Sequence, residues 1–161
     1  MKIYLVDYIG MHCGMHYYND AFCRVLSAIP GLDISVLSNY ADKNTNKPFF
    51  LHQYKGCKLR KICCLLWNYL MLLGFVLRNR KSCFIYLTYG NSIDLPFMYI
   101  VSLAGKSIID THEAIAQNVD DNADLKRRFK KIYSERIKSV IVHSQRTNDL
   151  LDEYGYGGVR L

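Results

Sequence analysis

"IYLVDYIGMHCGMHYYNDAFCRVLSAIPGLDISVLS" runs from Ile3 to Ser38, and its reading decides the fold. Ile3 to Val6 is a continuous apolar run that leads into a glycine-bearing loop, the mark of a strand covered on both faces. From Met15 onward Tyr18, Phe22, Val25, Leu26 and Ile29 recur at helical spacing until Pro30 and Gly31 stop the helix. Leu32 to Ser38 then reads as a second strand. Strand, glycine loop, helix and strand together make a βαβ unit.

The rest of the chain keeps the alternation. Asn39 to Pro48 is a polar loop, and Phe49 to Tyr54 is expected to form a short edge strand. Lys58 to Arg80 reads as one long helix. Its apolar centre, Ile62 to Leu77, is broken by Asn68 and Gly74 and falls short of the roughly 20 residues a membrane span needs, so a buried or partly membrane-facing helix is expected. Cys83 to Leu87 is a further apolar strand. Ser92 or Asp94 caps the next helix, Pro96 sits in its first turn and Gly105 follows it. Ser107 to Asp110 and Ser139 to Val142 are strands flanking another helix, and Ser144 caps a closing helix through Tyr154, ended by Gly155. This pattern predicts an α/β fold: a Rossmann-like, doubly wound, mainly parallel sheet with helices on both faces, as one domain over residues 1–161.

The 161 residues carry a formal charge of +7, unevenly placed. Lys126, Arg127, Arg128, Lys130, Lys131, Arg136 and Lys138 crowd one stretch against Glu135. Lys55, Lys58, Arg60 and Lys61 precede the long helix, and Arg78, Arg80 and Lys81 close it. Such local basic faces point to an anionic surface or ligand. The six cysteines show no C-x-x-C spacing, and Cys63 and Cys64 are adjacent, which suits neither a disulfide framework nor zinc; they read as reduced, mostly packed thiols. The opening apolar stretch is too short for a signal peptide and has no small-residue cleavage site, so a cytoplasmic protein is expected.

In a parallel sheet the carboxyl ends of the strands share one edge, where open α/β proteins bind ligands. Gly10, His12, Gly14 and His16 follow the first strand; Thr88, Tyr89, Gly90 and Asn91 follow Leu87. His112, Glu113 and Asn118 follow Asp110, and His143 and Ser144 follow Val142. Four of the five histidines thus fall on that edge. "HCGMH" offers metal ligands at His12, Cys13 and His16, yet no cysteine or carboxylate follows at companion spacing, and no metal is expected. The dinucleotide fingerprint is absent: Gly10 and Gly14 have no third glycine, and the second strand ends in Ser38 and Asn39 rather than an acid. Cys13 beside His112 has the geometry of a nucleophile pair with nothing else to recommend it. Two readings of the glycines remain open, a tight turn or a helix N-terminus that receives an anion or a polyhydroxylated ligand. His112 is either a core-capping imidazole or a donor to a sugar hydroxyl or phosphate oxygen.

"KSIIDTHEAIAQN" (Lys106 to Asn118), a basic helix and "RIKSVIVHSQRTNDLLDEYG" (Arg136 to Gly155) together resemble the N-terminal domain of retaining GT-B glycosyltransferases of the group 1, or family 4, type. The family has an apolar strand ending in His and an acid, then a helix, then an "AD-x-V-I-x-V-S" strand. Here Lys138 and Ser139 replace Ala and Asp, and Gly10 and Gly14 are spread apart where the family has a Gly-Gly pair. The resemblance implies the acceptor-binding half of a glycosyltransferase, with a C-terminal nucleotide-sugar-binding domain absent from these residues. The complete enzyme would transfer sugar with retention from a UDP- or GDP-sugar to a glycan or lipid-linked acceptor, in polysaccharide or glycolipid synthesis, with no cofactor bound by this domain. His112 would lie near the transferred sugar, Glu113 would shape its strand end, and Gly10 and Gly14 would line the cleft. His16, Tyr17, Tyr89, Asn91 and Asn118 would contact substrate.

In the basic helix Leu125, Phe129, Ile132, Tyr133 and Ile137 make one apolar stripe. Lys126, Arg127, Lys130 and Lys131 face elsewhere, as a solvated face or as a surface docked peripherally on the inner face of the membrane. The rival reading is a basic α/β module that binds an anionic membrane or nucleic acid without catalysis. Nucleic acid is disfavoured because only Phe129 and Tyr133 intersperse the basic residues, and both sit on the apolar stripe.

Overall fold

The computed structural model describes residues 1–12, 14–41, 47–52, 56–111 and 122–161, with the backbone alone at His12. Six strands form one sheet: β1 (Lys2–Asp7), β2 (Asp33–Ser38), β3 (Cys83–Thr88), β4 (Lys106–Thr111), β5 (Ser139–Val142) and β6 (Val159–Arg160). Their order is β2-β1-β3-β4-β5-β6, and every pairing is parallel. The helices are α1 (His16–Ser27), α2 (Lys58–Arg78), α3 (Asp94–Val101), α4 (Ala123–Glu135) and α5 (Gln145–Glu153). The expected Rossmann-like α/β architecture is therefore present.

The two faces of the sheet are covered unequally, and the handedness of the crossovers explains it. Only the step from β1 to β2 runs in one direction; every later crossover runs in the other, so right-handed connections place the later helices on the opposite face. On the first face α1 sets Tyr18, Phe22 and Leu26 against Leu5, Ile34, Val36 and Ile85. On the second, Leu72 and Val76 of α2, Phe97 and Met98 of α3, Phe129 and Ile132 of α4 and Leu151 of α5 pack over Tyr4, Val6, Phe84, Tyr86, Ile109 and Val140. Aromatic edges lock this second layer: the Phe97 ring lies 4.6 Å from Tyr69 and 4.7 Å from Tyr8 between centroids.

Three sequence expectations need correction. The described part of the expected edge strand, Phe49 to His52, forms no ladder. Instead the Phe49 and Phe50 amides both donate to the Ser38 carbonyl at 2.9 Å. The Leu51 amide donates to Asn68 Oδ1 at 2.8 Å, and Asn68 Nδ2 donates to the Leu51 carbonyl at 3.0 Å. A helix side chain thus takes the place of a neighbouring strand, and the polar interruption of α2 is explained as a clamp. Second, α2 ends at Arg78 rather than at Arg80; its 21 residues meet the requirement for a membrane-crossing helix by length and composition only. Third, β6 adds a short parallel edge beyond β5, too brief to leave a periodic signal after the glycines of the Tyr154–Gly158 stretch.

Asn68 is fully buried and serves both backbone groups of Leu51. Asn68→Ala should lower the unfolding free energy by about 2 kcal/mol, since it strands two backbone polar groups, whereas Leu66→Ala on the exposed side of the same helix should change it by less than about 0.5 kcal/mol. Urea titrations of both variants, followed by far-UV circular dichroism, check the contrast.

Candidate functional site

The chain leaves β1 towards one side of the sheet and β3 towards the other, so a crevice opens where their carboxyl ends lie side by side. Asp7 closes β1 at this point and is fully buried. Its Oδ1 accepts from the amides of Ile9 (3.1 Å) and Gly10 (2.9 Å) and from the Tyr89 hydroxyl (2.7 Å). Its Oδ2 accepts from Asn19 Nδ2 at 2.6 Å. One carboxylate therefore fixes the glycine turn, the first turns of α1 and the loop after β3. Saturated in this way, Asp7 is a structural anchor rather than a base.

The turn begins with one 3-10 turn, Gly10–His12, and both its glycines have positive φ, +45° at Gly10 and +75° at Gly14. They serve different needs. Gly10 is pressed onto the end of β2: a methyl there would run into Ser38 Oγ and stand 2.7 Å from Asn39 Oδ1. Asn39 in turn donates to the Ile9 carbonyl at 2.7 Å and accepts from the Met11 amide at 3.2 Å, binding the turn to β2. At Gly14 an added side chain would meet no described atom within 4 Å. Behind Gly14, α1 starts at His16 with Met15 at the N-cap and no side chain capping it among the described residues, and the Tyr17 amide donates to the Gly14 carbonyl at 3.2 Å. Around this turn the buried atoms His16 Nδ1, Asn19 Oδ1 and Ser38 Oγ have no hydrogen-bond partner among the described residues.

Across the crevice, Asp94 organises the loop between β3 and α3. Its Oδ2 accepts from the amides of Tyr89 (3.0 Å) and Asn91 (2.9 Å), and its Oδ1 from the Tyr86 hydroxyl (2.5 Å). Burial pushes its carboxyl from an ordinary 3.8 up to about 6, against the pull of the donors at Tyr86, Asn91, Tyr89 and Thr88. Asn91 donates to the Tyr8 hydroxyl at 3.1 Å.

A third buried carboxylate, Asp110, lies in β4 beside Leu87 of β3. The Tyr18 hydroxyl donates to its Oδ2 at 2.7 Å, and His143 Nε2 stands 2.5 Å from its Oδ1. Burial and the neighbouring carboxylate raise the Tyr18 hydroxyl well above its usual range, so it stays protonated and donating. A buried carboxylate against one ring nitrogen fixes the orientation and the tautomer of an imidazole, with the proton on Nε2 of the neutral ring. The His143 side chain is one-third exposed, so this pair presents an oriented histidine at the ligand edge.

Among the expected site residues, the structure brings Gly10, Tyr89 and Asn91 together around Asp7 and Asp94. Gly14 and His16 stand at the start of α1, the His16 ring 3.9 Å from Tyr17 and 6.2 Å from Tyr40 between centroids. Tyr17 is 74% exposed and points away from the network. His112, Glu113 and Asn118 lie outside the described residues, as does Cys13. Lys126, Arg127, Lys130 and Lys131 fall on α4 opposite its buried stripe of Leu125, Phe129, Ile132 and Tyr133. Two of them meet acids there: Lys126 pairs with Glu153 at 3.2 Å and Arg127 with Asp124 at 2.8 Å. Among the described residues no three of His, Cys, Asp and Glu stand close enough to hold a metal ion.

The residues missed in the sequence are Asp7, Asp94, Asp110 and Tyr18; Asp94 reads there only as a helix cap, although Ile93 takes the N-cap position. The first and third carried a signal, an acid closing an apolar strand at the ligand edge. Tyr18 reads from sequence only as one of the apolar positions of α1.

Gly10→Ala should cost several kcal/mol, because it adds a steric collision to the roughly 1–2 kcal/mol of left-handed backbone strain, whereas Gly14→Ala should cost only that strain. Thermal unfolding of the two variants separates them. The raised Asp94 carboxyl means that the folded chain holds a proton that the unfolded chain releases, so this group makes stability fall as pH rises from 3.8 to about 6. Asp94→Asn should remove that slope, worth about 3 kcal/mol, from the difference between the two unfolding curves measured across the same window.

No protein-family model matches the chain, and no curated protein matches it in sequence.

Proposed function

We propose that residues 1–161 are the acceptor-side domain of a retaining, nucleotide-sugar-dependent glycosyltransferase. The observation that carries the reading is the turn at the β1/β3 crossover point. The helix N-terminus behind Gly14 has no side-chain cap, and along the turn His16 Nδ1, Asn19 Oδ1 and Ser38 Oγ are buried without a partner among the described residues. A helix N-terminus suits the oxygens of a diphosphate or of a sugar, and the His16, Asn19 and Ser38 atoms that meet no partner among the described residues suit hydroxyl groups, which both donate and accept. A phosphoryl leaving group needs positioning and charge stabilisation more than covalent help, and fixed amides supply both at no cost of reorganisation.

In this reading a second domain binds most of a UDP- or GDP-sugar, and a glycan or lipid-linked acceptor enters along the edge formed by the Gly10–Gly14 turn and the β3–α3 loop. The Asp110–His143 pair gives that edge an oriented imidazole. His112, by the family resemblance, orients the reacting groups. Peripheral attachment at the cytoplasmic face of a membrane would suit a lipid-linked acceptor.

The test uses the complete reading frame that contains these residues, incubated with labelled UDP- and GDP-sugars and with membrane lipid extracts or oligosaccharides. Transfer with retained anomeric configuration is expected, and His112→Ala should lower it about a hundredfold with an unchanged circular dichroism spectrum. Absence of transfer from every donor, with binding to anionic vesicles intact, would favour the non-catalytic binding module instead.

A further inference from the structure

The long helix α2 has a second face that the fold does not use. Its inner side is seated firmly: Asn68, Leu72 and Val76 are fully buried, and Asn68 holds the Leu51 backbone. Its outer side shows Leu59, Ile62, Leu66 and Leu70 at steps of three and four residues, with Leu77 continuing the row and Trp67 and Met71 beside it. Leu59 is 71% exposed, Leu70 63% and Trp67 52%. From Leu59 to Leu77 this stripe extends about 27 Å along the helix. A contiguous apolar strip of that length is not an ordinary scatter of exposed side chains.

Charge says what covers it. Lys58, Arg60 and Lys61 stand exposed at one end and Arg78, Arg80 and Lys81 at the other. Between Asp42 and Asp94 the sequence contains no acidic residue. A second copy docked through this face would bring basic clusters together whether the two helices ran parallel or antiparallel. An anionic lipid surface meets both ends favourably while its acyl region receives the leucines, the arrangement of a helix lying in the interface plane. Met71 and Phe75 also wall a groove of about 430 Å³ with Tyr4, Phe49, Lys2 and Lys47, which continues the same combination of apolar floor and cationic side chains.

We infer that the outer face of α2, centred on Leu66, Trp67 and Leu70 and flanked by its two basic clusters, docks in the plane of an anionic phospholipid bilayer. The helix meets the definition of a span by length and composition. Its buried contacts with the sheet and the Asn68 clamp hold it along the domain, so it lies on the membrane rather than through it. This inference does not rest on the glycosyltransferase reading, and it moves the membrane contact from the basic face of α4 to α2.

Trp67 is the only tryptophan in the chain, so its fluorescence reports on this surface directly. The full chain is mixed with phosphatidylcholine vesicles with and without phosphatidylglycerol. With phosphatidylglycerol, the emission should shift to the blue and be quenched by bromine-labelled acyl chains, and high salt should weaken both effects. Leu66→Asp with Leu70→Asp should lower partitioning by about tenfold or more while leaving the circular dichroism spectrum unchanged, and Lys130→Gln with Lys131→Gln should have the smaller effect. No blue shift with anionic vesicles overturns the inference. So does a shift that depends on protein concentration without lipid, which would mean a second copy covers the face. Loss of binding in the α4 variant alone overturns it as well.

Discussion

A buried carboxylate is tolerable only when nearly all its lone pairs are engaged, and Asp7 meets that condition with donors from three separate parts of the chain. The amides of Ile9 and Gly10 come from the turn that follows its own strand, Asn19 comes from α1, and the Tyr89 hydroxyl comes from the loop after β3. Because β1 lies between β2 and β3, this one group fixes both walls of the crevice at once. Lose any donor and the charge is left partly unsolvated in the interior, so the position of the glycine turn, the start of α1 and the opposite loop stand or fall together.

The same device recurs along the carboxyl edge with a different outcome each time. Asp94 uses backbone amides to hold a loop, and its burial is deep enough to favour the protonated form up to about pH 6. Asp110 gives its oxygens to two side chains instead, Tyr18 and His143. Asp110 hands its orientation on to His143, whose side chain is one-third exposed. Asp7 and Asp94 therefore hold the start of α1 and the β3–α3 loop, and Asp110 orients Tyr18 and His143.

The alternation of apolar runs with helical spacing made the parallel α/β fold legible, since runs such as Cys83–Leu87 admit few other readings once glycines and prolines punctuate them. The edge residues were legible as a set because topology alone gathers the residues at the carboxyl end of each strand. Periodicity does not reveal which polar groups satisfy one another. Tyr89 and Asn91 read as substrate contacts, yet their hydrogen bonds go to Asp7 and Tyr8. Asn68 read as a break in an apolar helix, although the break is the reason Phe49 to His52 needs no partner strand. The Asp110–His143 pair joins residues 33 positions apart, and nothing local in either segment announces it.

The order of the strands along the chain has a consequence for synthesis. β1 must pair with β2 and with β3, whose residues are translated only after α2 has been made. When α2 leaves the ribosome, β3 and α3, whose side chains share a core cluster with Leu72 and Val76, do not yet exist. For that interval both its inner and its outer apolar sides face the surroundings, the kind of transient exposure that makes a nascent chain prone to capture. Completion of β3 and α3 conceals the inner side, and the outer one stays as it was at birth.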